Sequence, residues 1–376
     1  MEKIVNLDNA STTMVYKEVI NEISYALSED NYNMGARYEA AKKVEKKFNY
    51  LKSKLLSALG AYSGEIIVAP SATIANNLCL MSLNPKSKGE IIINISEHPS
   101  VYECAVKLKN SGANVVFCPV KNSGEIDLEK LSEIVTDKTQ FVSIMHVNNE
   151  TGAINDIKQV AILAKSKNKN CLVHADGVQA FGKIPVNLTD LGVDFYTISA
   201  HKIGGPKGVG VLWAKDKNTL KPLIFGGGQE LGLISGTQNY PLFAGMMTAV
   251  NLKLNSLEDD YHKVLFAKTS LIENLTQLGV EFSVNGSDSF SPYILNLSFK
   301  GVRGEVLLNL LSLRGILVSN GSACASAKQG NRILEAMGKT KSEIDGAVRF
   351  SFDAREEYNT KELAKIICEE IKKIKH

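Results

Sequence analysis

Between residues 64 and 215 the chain repeats one pattern: a short apolar run, a turn, a helically spaced stretch, and another apolar run. The runs are Glu65-Ile-Ile-Val, Ile91-Ile-Ile-Asn-Ile, Asn114-Val-Val-Phe, Phe141-Val-Ser-Ile-Met, Cys171-Leu-Val-His and Phe195-Tyr-Thr-Ile-Ser. They are apolar throughout rather than alternating, so as strands they must be covered on both faces. Ile157, Val160, Ala161 and Ala164 carry helical spacing between two of them. Such alternation predicts an α/β fold with a mainly parallel central sheet flanked by helices. Ligands in such folds sit at the carboxyl ends of the strands.

The flanking segments read differently. Val44, Phe48, Leu51, Leu55 and Leu59 mark one face of a long amphipathic helix, and 241–279 reads as two helices. The last hundred residues hold Tyr293-Ile-Leu-Asn-Leu-Ser-Phe, a helix over 305–313, a strand over 316–319, and Ala347-Val-Arg-Phe-Ser-Phe. A final helix opens at Asn359, where Glu362 three residues on suggests a capping box. With 376 residues there is room for a large domain and a companion. The expected division is a large α/β domain over 13–250 and a smaller α+β domain built from 1–12 and 251–376.

Net charge is +3, from 43 basic and 40 acidic residues without a dense basic run, which argues against nucleic acid as the main partner. The six cysteines form no CxxC pair, so neither a disulfide framework nor a metal site is expected. No apolar stretch is long enough for a bilayer, and the first residues lack a signal-peptide core. The expectation is a cytoplasmic protein with no membrane partner.

Chemistry gathers at the strand ends. Ser71-Ala72-Thr73 opens a helix, where unpaired N–H groups and the helix dipole favour an anion, although an ordinary N-cap reads the same way. His98, Asn149 and Asp176 follow three further runs. An aspartate closing an apolar strand is costly to bury unless it meets a cation. Ser199-Ala200-His201-Lys202 closes another run and leads into a glycine-rich turn. Lys202 reads equally as a turn lysine or as a desolvated nucleophile of the Schiff-base kind. Together these positions supply a phosphate seat, an acid, a stacking base and a lysine, the set that pyridoxal 5′-phosphate (PLP) requires.

The motifs Leu7-Asp-Asn-Ala-Ser-Thr-Thr, Ser71-Ala-Thr-Ile-Ala-Asn-Asn, Glu97-His-Pro-Ser-Val, Val147-Asn-Asn-Glu-Thr-Gly, His174-Ala-Asp-Gly-Val-Gln, Ser199-Ala-His-Lys, Gly226-Gly-Gly-Gln-Glu, Ser235-Gly-Thr, Ser322-Ala-Cys and Arg349-Phe-Ser occur in one order. In this the chain resembles a cysteine desulfurase of the NifS/IscS type, among the class V, fold-type I PLP-dependent aminotransferases. The resemblance implies roles by position. Lys202 is similar to the lysine that carries PLP, Asp176 to the partner of the ring nitrogen, and Gln179 to the partner of the ring hydroxyl. His98 would stack on the ring and shuttle protons. Asn149 would hold the ring hydroxyl or the substrate carboxylate. Thr73, Ser199 and His201 would bind phosphate, and Thr237 would reach it from the other subunit of a homodimer. Arg349 would clamp the carboxylate of L-cysteine. Cys324 would take the sulfur as a persulfide, leaving L-alanine, and pass it to an acceptor protein for iron–sulfur cluster or thiolation pathways.

The chain departs from the resemblance in places. Ile74 stands where an acid is usual, and Leu231 and Ile234 where arginines are usual. The 31–37 segment is shortened, and Gln329-Gly-Asn-Arg follows the Cys324 stretch where Pro-Ser-His is usual. The same scaffold also implies three rival expectations: a selenocysteine lyase, a plain class V aminotransferase, and a partner-binding homologue with little turnover.

Overall fold

The apolar runs form strands, and the stretches between them form the helices that cover those strands. The computed structural model describes residues 4–287, 289–321 and 332–375. The first strand, β1 (Val5–Asn6), belongs to a small two-stranded sheet. The central sheet comprises β2 (Glu65–Ala69), β3 (Glu90–Asn94), β4 (Asn114–Cys118), β5 (Thr139–Ser143), β6 (Leu172–Asp176), β7 (Phe195–Ser199) and β8 (Gly210–Ala214). Their spatial order is β2-β8-β7-β6-β5-β3-β4. The pairs β3–β4, β3–β5, β5–β6 and β6–β7 are parallel, as the sequence pattern implies. β8 runs against both β2 and β7. β2 and β7 therefore point the same way, and the carboxyl ends of β2, β3, β5, β6 and β7 open on one side.

Neighbouring residues of one strand face different helices, as strand geometry demands. Ile66, Ile92, Val142, Val173 and Ile198 pack into a cluster with Phe48 of helix Glu39–Ala58, Val160 of Ile157–Lys167 and Phe243 of Tyr240–Asn255. Ile67, Ile91, Ile93, Phe141 and Phe195 face Leu78 of Ala72–Met81 and Val101 of Pro99–Asn110. Each fully buried aliphatic side chain contributes about 2 kcal/mol.

The second half of the chain builds smaller sheets. β9 (Phe282–Val284) and β10 (Ile294–Phe299) pair antiparallel. β11 (Ile316–Leu317) pairs with β1 in parallel, and β12 (Ala347–Ser351) pairs antiparallel with β10. Leu271, Leu297, Leu307, Phe350 and Ile367 share an apolar cluster with Leu7 and Ala10 from the beginning of the chain. The strand read over 316–319 is a two-residue ladder; Ser319 then makes an isolated bridge to Arg349. At the last helix, Thr360–Lys375, Asn359 Oδ1 accepts from Glu362 N at 3.2 Å. A reciprocal capping box forms at Thr340 and Glu343. Among the described residues no helix is long and apolar enough to cross a membrane.

One glycine matters for the site. A Cβ on Gly210 would lie 2.5 Å from Ala72 N and 2.7 Å from Ser71 C. Only glycine lets the first residue of β8 approach the start of helix Ala72–Met81 so closely.

Candidate active site

Ser71 is the N-cap of helix Ala72–Met81, and its side chain accepts from Ile74 N at 3.2 Å. The first-turn N–H groups of such a helix have no partner within it and suit an anion. Ser199 ends β7 and is buried. His201 follows it, with Nδ1 3.3 Å from Thr12 Oγ1. Its pKa is pushed down to about 4 by burial and by Lys202, so the ring is neutral near pH 7.

Asp176 closes β6 and is 4% exposed. Oδ2 accepts from Asn76 Nδ2 at 2.8 Å and Oδ1 from Val178 N at 3.0 Å. Fixed donors of this kind hold a buried carboxylate in one orientation. Gln179 Nε2 donates to the Ala10 carbonyl at 2.9 Å, while its Oε1 accepts from Lys183 Nζ at 2.6 Å. Lys202 is half-buried, and its Nζ donates to the carbonyls of Ala10 at 2.5 Å and Ser11 at 2.7 Å.

Arg349 lies on β12 and is 2% exposed. Nη2 donates to Asp8 Oδ1 and to Ser11 Oγ, each at 2.9 Å. Nη1 donates to the Asn149 carbonyl at 2.9 Å and lies 3.4 Å from Glu150 Oε1. A buried guanidinium needs such partners, and Asp8 and Glu150 orient its fork. Burial pushes the Glu150 carboxyl upward, and Arg349 opposes that rise. Asn149 Nδ2 donates to Glu150 Oε1 at 2.8 Å, whereas the buried Asn149 Oδ1 has no partner among the described residues.

His98 follows β3 and caps helix Pro99–Asn110. Burial lowers its pKa, and Asp176 partly offsets that. Beside it, Glu97 Oε1 accepts from Met145 N at 2.5 Å, and burial raises its carboxyl well above the usual range. Arg332 stacks its guanidinium 3.8 Å from the Tyr102 ring centroid and donates to the carbonyls of Ile95 and Glu97.

Thr73, His98, Asn149, Asp176, Gln179, Ser199, His201, Lys202 and Arg349 thus line one cavity of about 260 Å³. Thr237 is not among its walls; it is exposed and borders a separate cavity with Glu230 and Gln238. Cys324 lies outside the described residues. Asn76, Ser100 and Lys183 were missed as individual contributors. Asn76 and Ser100 lie in motifs that were legible, Lys183 lies in none, and nothing in spacing pairs Asn76 with Asp176, a hundred residues away.

A mainly parallel sheet with a lysine, a carboxylate, a histidine and a neutral anion seat at its strand ends defines the fold and site as those of an α/β group-transfer enzyme. Residues 5–364 match the family model described as "Aminotransferase class-V", and the chain belongs to that family. It is 33% identical over 381 residues to "Cysteine desulfurase IscS" of Clostridium botulinum (strain Hall), spanning 100% of this chain and 95% of that relative. A solved "NIFS-LIKE PROTEIN" is similar at a TM-score of 0.91 and 33% identity, over 98% of this chain and 100% of that one. A structure described as "SspA in complex with cysteine" is similar at 0.80 and 29%, over 92% and 98%.

Proposed function

We propose that this protein is a cysteine desulfurase that uses PLP and carries sulfur on Cys324. The observation that carries this reading is the convergence of Lys202, Asp176, His98 and Arg349 on one cavity. The curated relatives named as cysteine desulfurases and the neighbour solved with cysteine support it.

The donor set fits PLP. The start of helix Ala72–Met81 with Ser199 and His201 would seat the phosphate, Asp176 the ring nitrogen, and Lys202 the covalent link. Asn149 lines the cavity, and its buried Oδ1 has no partner among the described residues. When bound, PLP supplies an electron sink for cleavage next to the amino-acid α-carbon.

The chain's own residues supply the rest. Asp176, held by Asn76 and Val178, keeps a proton at the ring nitrogen. Arg349 binds the cysteine carboxylate through the charge of its guanidinium, which Asp8 and Glu150 hold in place. His98 moves a proton through its ring. The Cys324 thiolate attacks the substrate sulfur. The Cβ–S bond of cysteine breaks, an S–S bond forms on Cys324, and Cβ receives a proton. L-Cysteine and a thiol become L-alanine and a persulfide.

The choice of Cys324 is supported by the other thiols. Cys79, Cys104, Cys118, Cys171 and Cys368 are all buried. Burial pushes Cys104 up to about 11 and Cys118 and Cys171 up to about 12. The reading extends to a cytoplasmic homodimer in which Thr237 serves the partner's phosphate seat, to the two-domain division at 13–250, and to an acceptor protein that collects the sulfur.

The test is incubation of purified protein with L-cysteine. Alanine should appear, and the Cys324 peptide should gain about 32 Da, one sulfur atom. No alanine and no adduct would overturn the proposal.

A further inference from the structure

The proton-bearing atom of His98 is decided by its neighbours Ser100 and Asn76. Its Nδ1 accepts from Ser100 N at 3.1 Å and lies 2.8 Å from Ser100 Oγ. The Ser100 hydroxyl has a single proton to give. Asn76 Nδ2, which can only donate, lies 2.9 Å from the same oxygen. That oxygen accepts from Asn76, and because Ser100 N–H already makes Nδ1 an acceptor, the hydroxyl's own proton is the one that lies between Oγ and Nδ1. The other N–H of Asn76 goes to Asp176 Oδ2 at 2.8 Å. Asn76 is 0% exposed and Ser100 8%, so water offers little competition for these bonds.

We infer that Asn76 and Ser100 form a relay that fixes His98 as its Nε2–H tautomer and ties its protonation to the orientation of Asp176. Two donors converge on Nδ1 and leave no place for a proton there. Protonating Nδ1 would set it against Ser100 N–H, a backbone donor that cannot reverse, and would turn the hydroxyl proton away. The neutral ring carries its proton on Nε2, the nitrogen that remains for the cavity. The charged and titratable groups facing His98 are Asp176, which favours the imidazolium, and Lys202 and Arg332, which oppose it. His201 faces it as well. Asn76 and Ser100 are positioning residues, since they act through His98 and Asp176.

The inference rests on the reading above for the use of His98, but its test needs no turnover. Protein carrying ¹⁵N-labelled histidine has six histidines, and His98→Gln assigns the relevant signal. The tautomer and titration of His98 are then read by NMR in the wild type, Ser100→Ala, Ser100→Thr and Asn76→Leu. The wild type should show a proton on Nε2. Ser100→Ala should raise the His98 pKa by roughly 0.5 to 1, the loss of one hydrogen bond. Asn76→Leu should move it the same way, and Ser100→Thr, which keeps the hydroxyl, should restore it. A proton on Nδ1 in the wild type, or an unchanged titration in folded Ser100→Ala, would overturn the relay. Protein that shows the tautomer and the shift but releases no alanine would sink the enzymatic reading and uphold the relay.

Discussion

Lys183 Nζ donates to Gln179 Oε1 at 2.6 Å, and this contact decides that the amide nitrogen of Gln179 faces Ala10. Lys183 is 4% exposed and 5.7 Å from the Tyr293 ring centroid. Burial first, then Lys202 and Lys253, push its pKa down to about 7. The unfolded chain binds this proton up to about 10.5, so Lys183 costs stability increasingly as pH falls from there toward 7. Lys183→Met should melt higher than the wild type at pH 7, with a gain that shrinks as pH approaches 10. The same variant should bind PLP roughly tenfold more weakly, because Gln179 loses the donor that orients it. Thermal scans across pH and a cofactor titration check both, and a lower melting temperature at pH 7 refutes the first.

Arg349 meets Asp8 and Glu150 through separate terminal nitrogens. Arg349→Lys keeps the charge and loses the fork, so KM for L-cysteine should rise at least tenfold with a smaller change in kcat. Arg349→Ala strands two carboxylates and should destabilise the protein by about 3–5 kcal/mol. Steady-state kinetics and urea denaturation separate the two effects. An unchanged KM in Arg349→Lys counts against a carboxylate clamp.

Thiol labelling should distinguish Cys324 from the rest. Cys118 and Cys171 are buried, with pKa values near 12. Brief treatment of native protein with iodoacetamide at pH 7.5 should modify one cysteine, and Cys324→Ala should abolish that modification. Peptide mass spectrometry reads the site.

Acid should destabilise the large sheet through two buried histidines. His174 bonds Ser143 and Thr197, and His146 bonds Tyr196. Burial pushes both down to about 4, against 6.5 when unfolded. Each folded-state value is depressed, so the unfolded chain takes up protons first. Stability is complete above 6.5 and is lost as pH falls toward 4, by about 3 kcal/mol per histidine. Urea midpoints at pH 7.5 and 4.5 measure the loss. Equal midpoints would show that both rings take up protons in the fold as readily as in the unfolded chain.

The mainly parallel direction of the large sheet was legible because its strands are buried on both faces and carry continuous apolar runs, whereas the strand order came only from the fold. The strand over 316–319 was read too long, because its pairing with Val5 and Asn6 depends on residues at the far end of the chain. Nine of the proposed site residues, picked out by their motifs, line one cavity. Thr237 lies at a different cavity.

By itself the sequence determined the α/β class, the strand ends where chemistry gathers, and Lys202 as a residue with two readings. Local patterns determine such things, since apolar period and turn chemistry act over a few residues. Only the tertiary structure decided what those residues touch. It put Arg349 of β12 beside Asp8, joined Asn76 to Asp176 and Ser100, and set Lys183 behind Gln179. Each of these contacts desolvates a polar or charged group, and a buried polar group must find its partner wherever the fold supplies one.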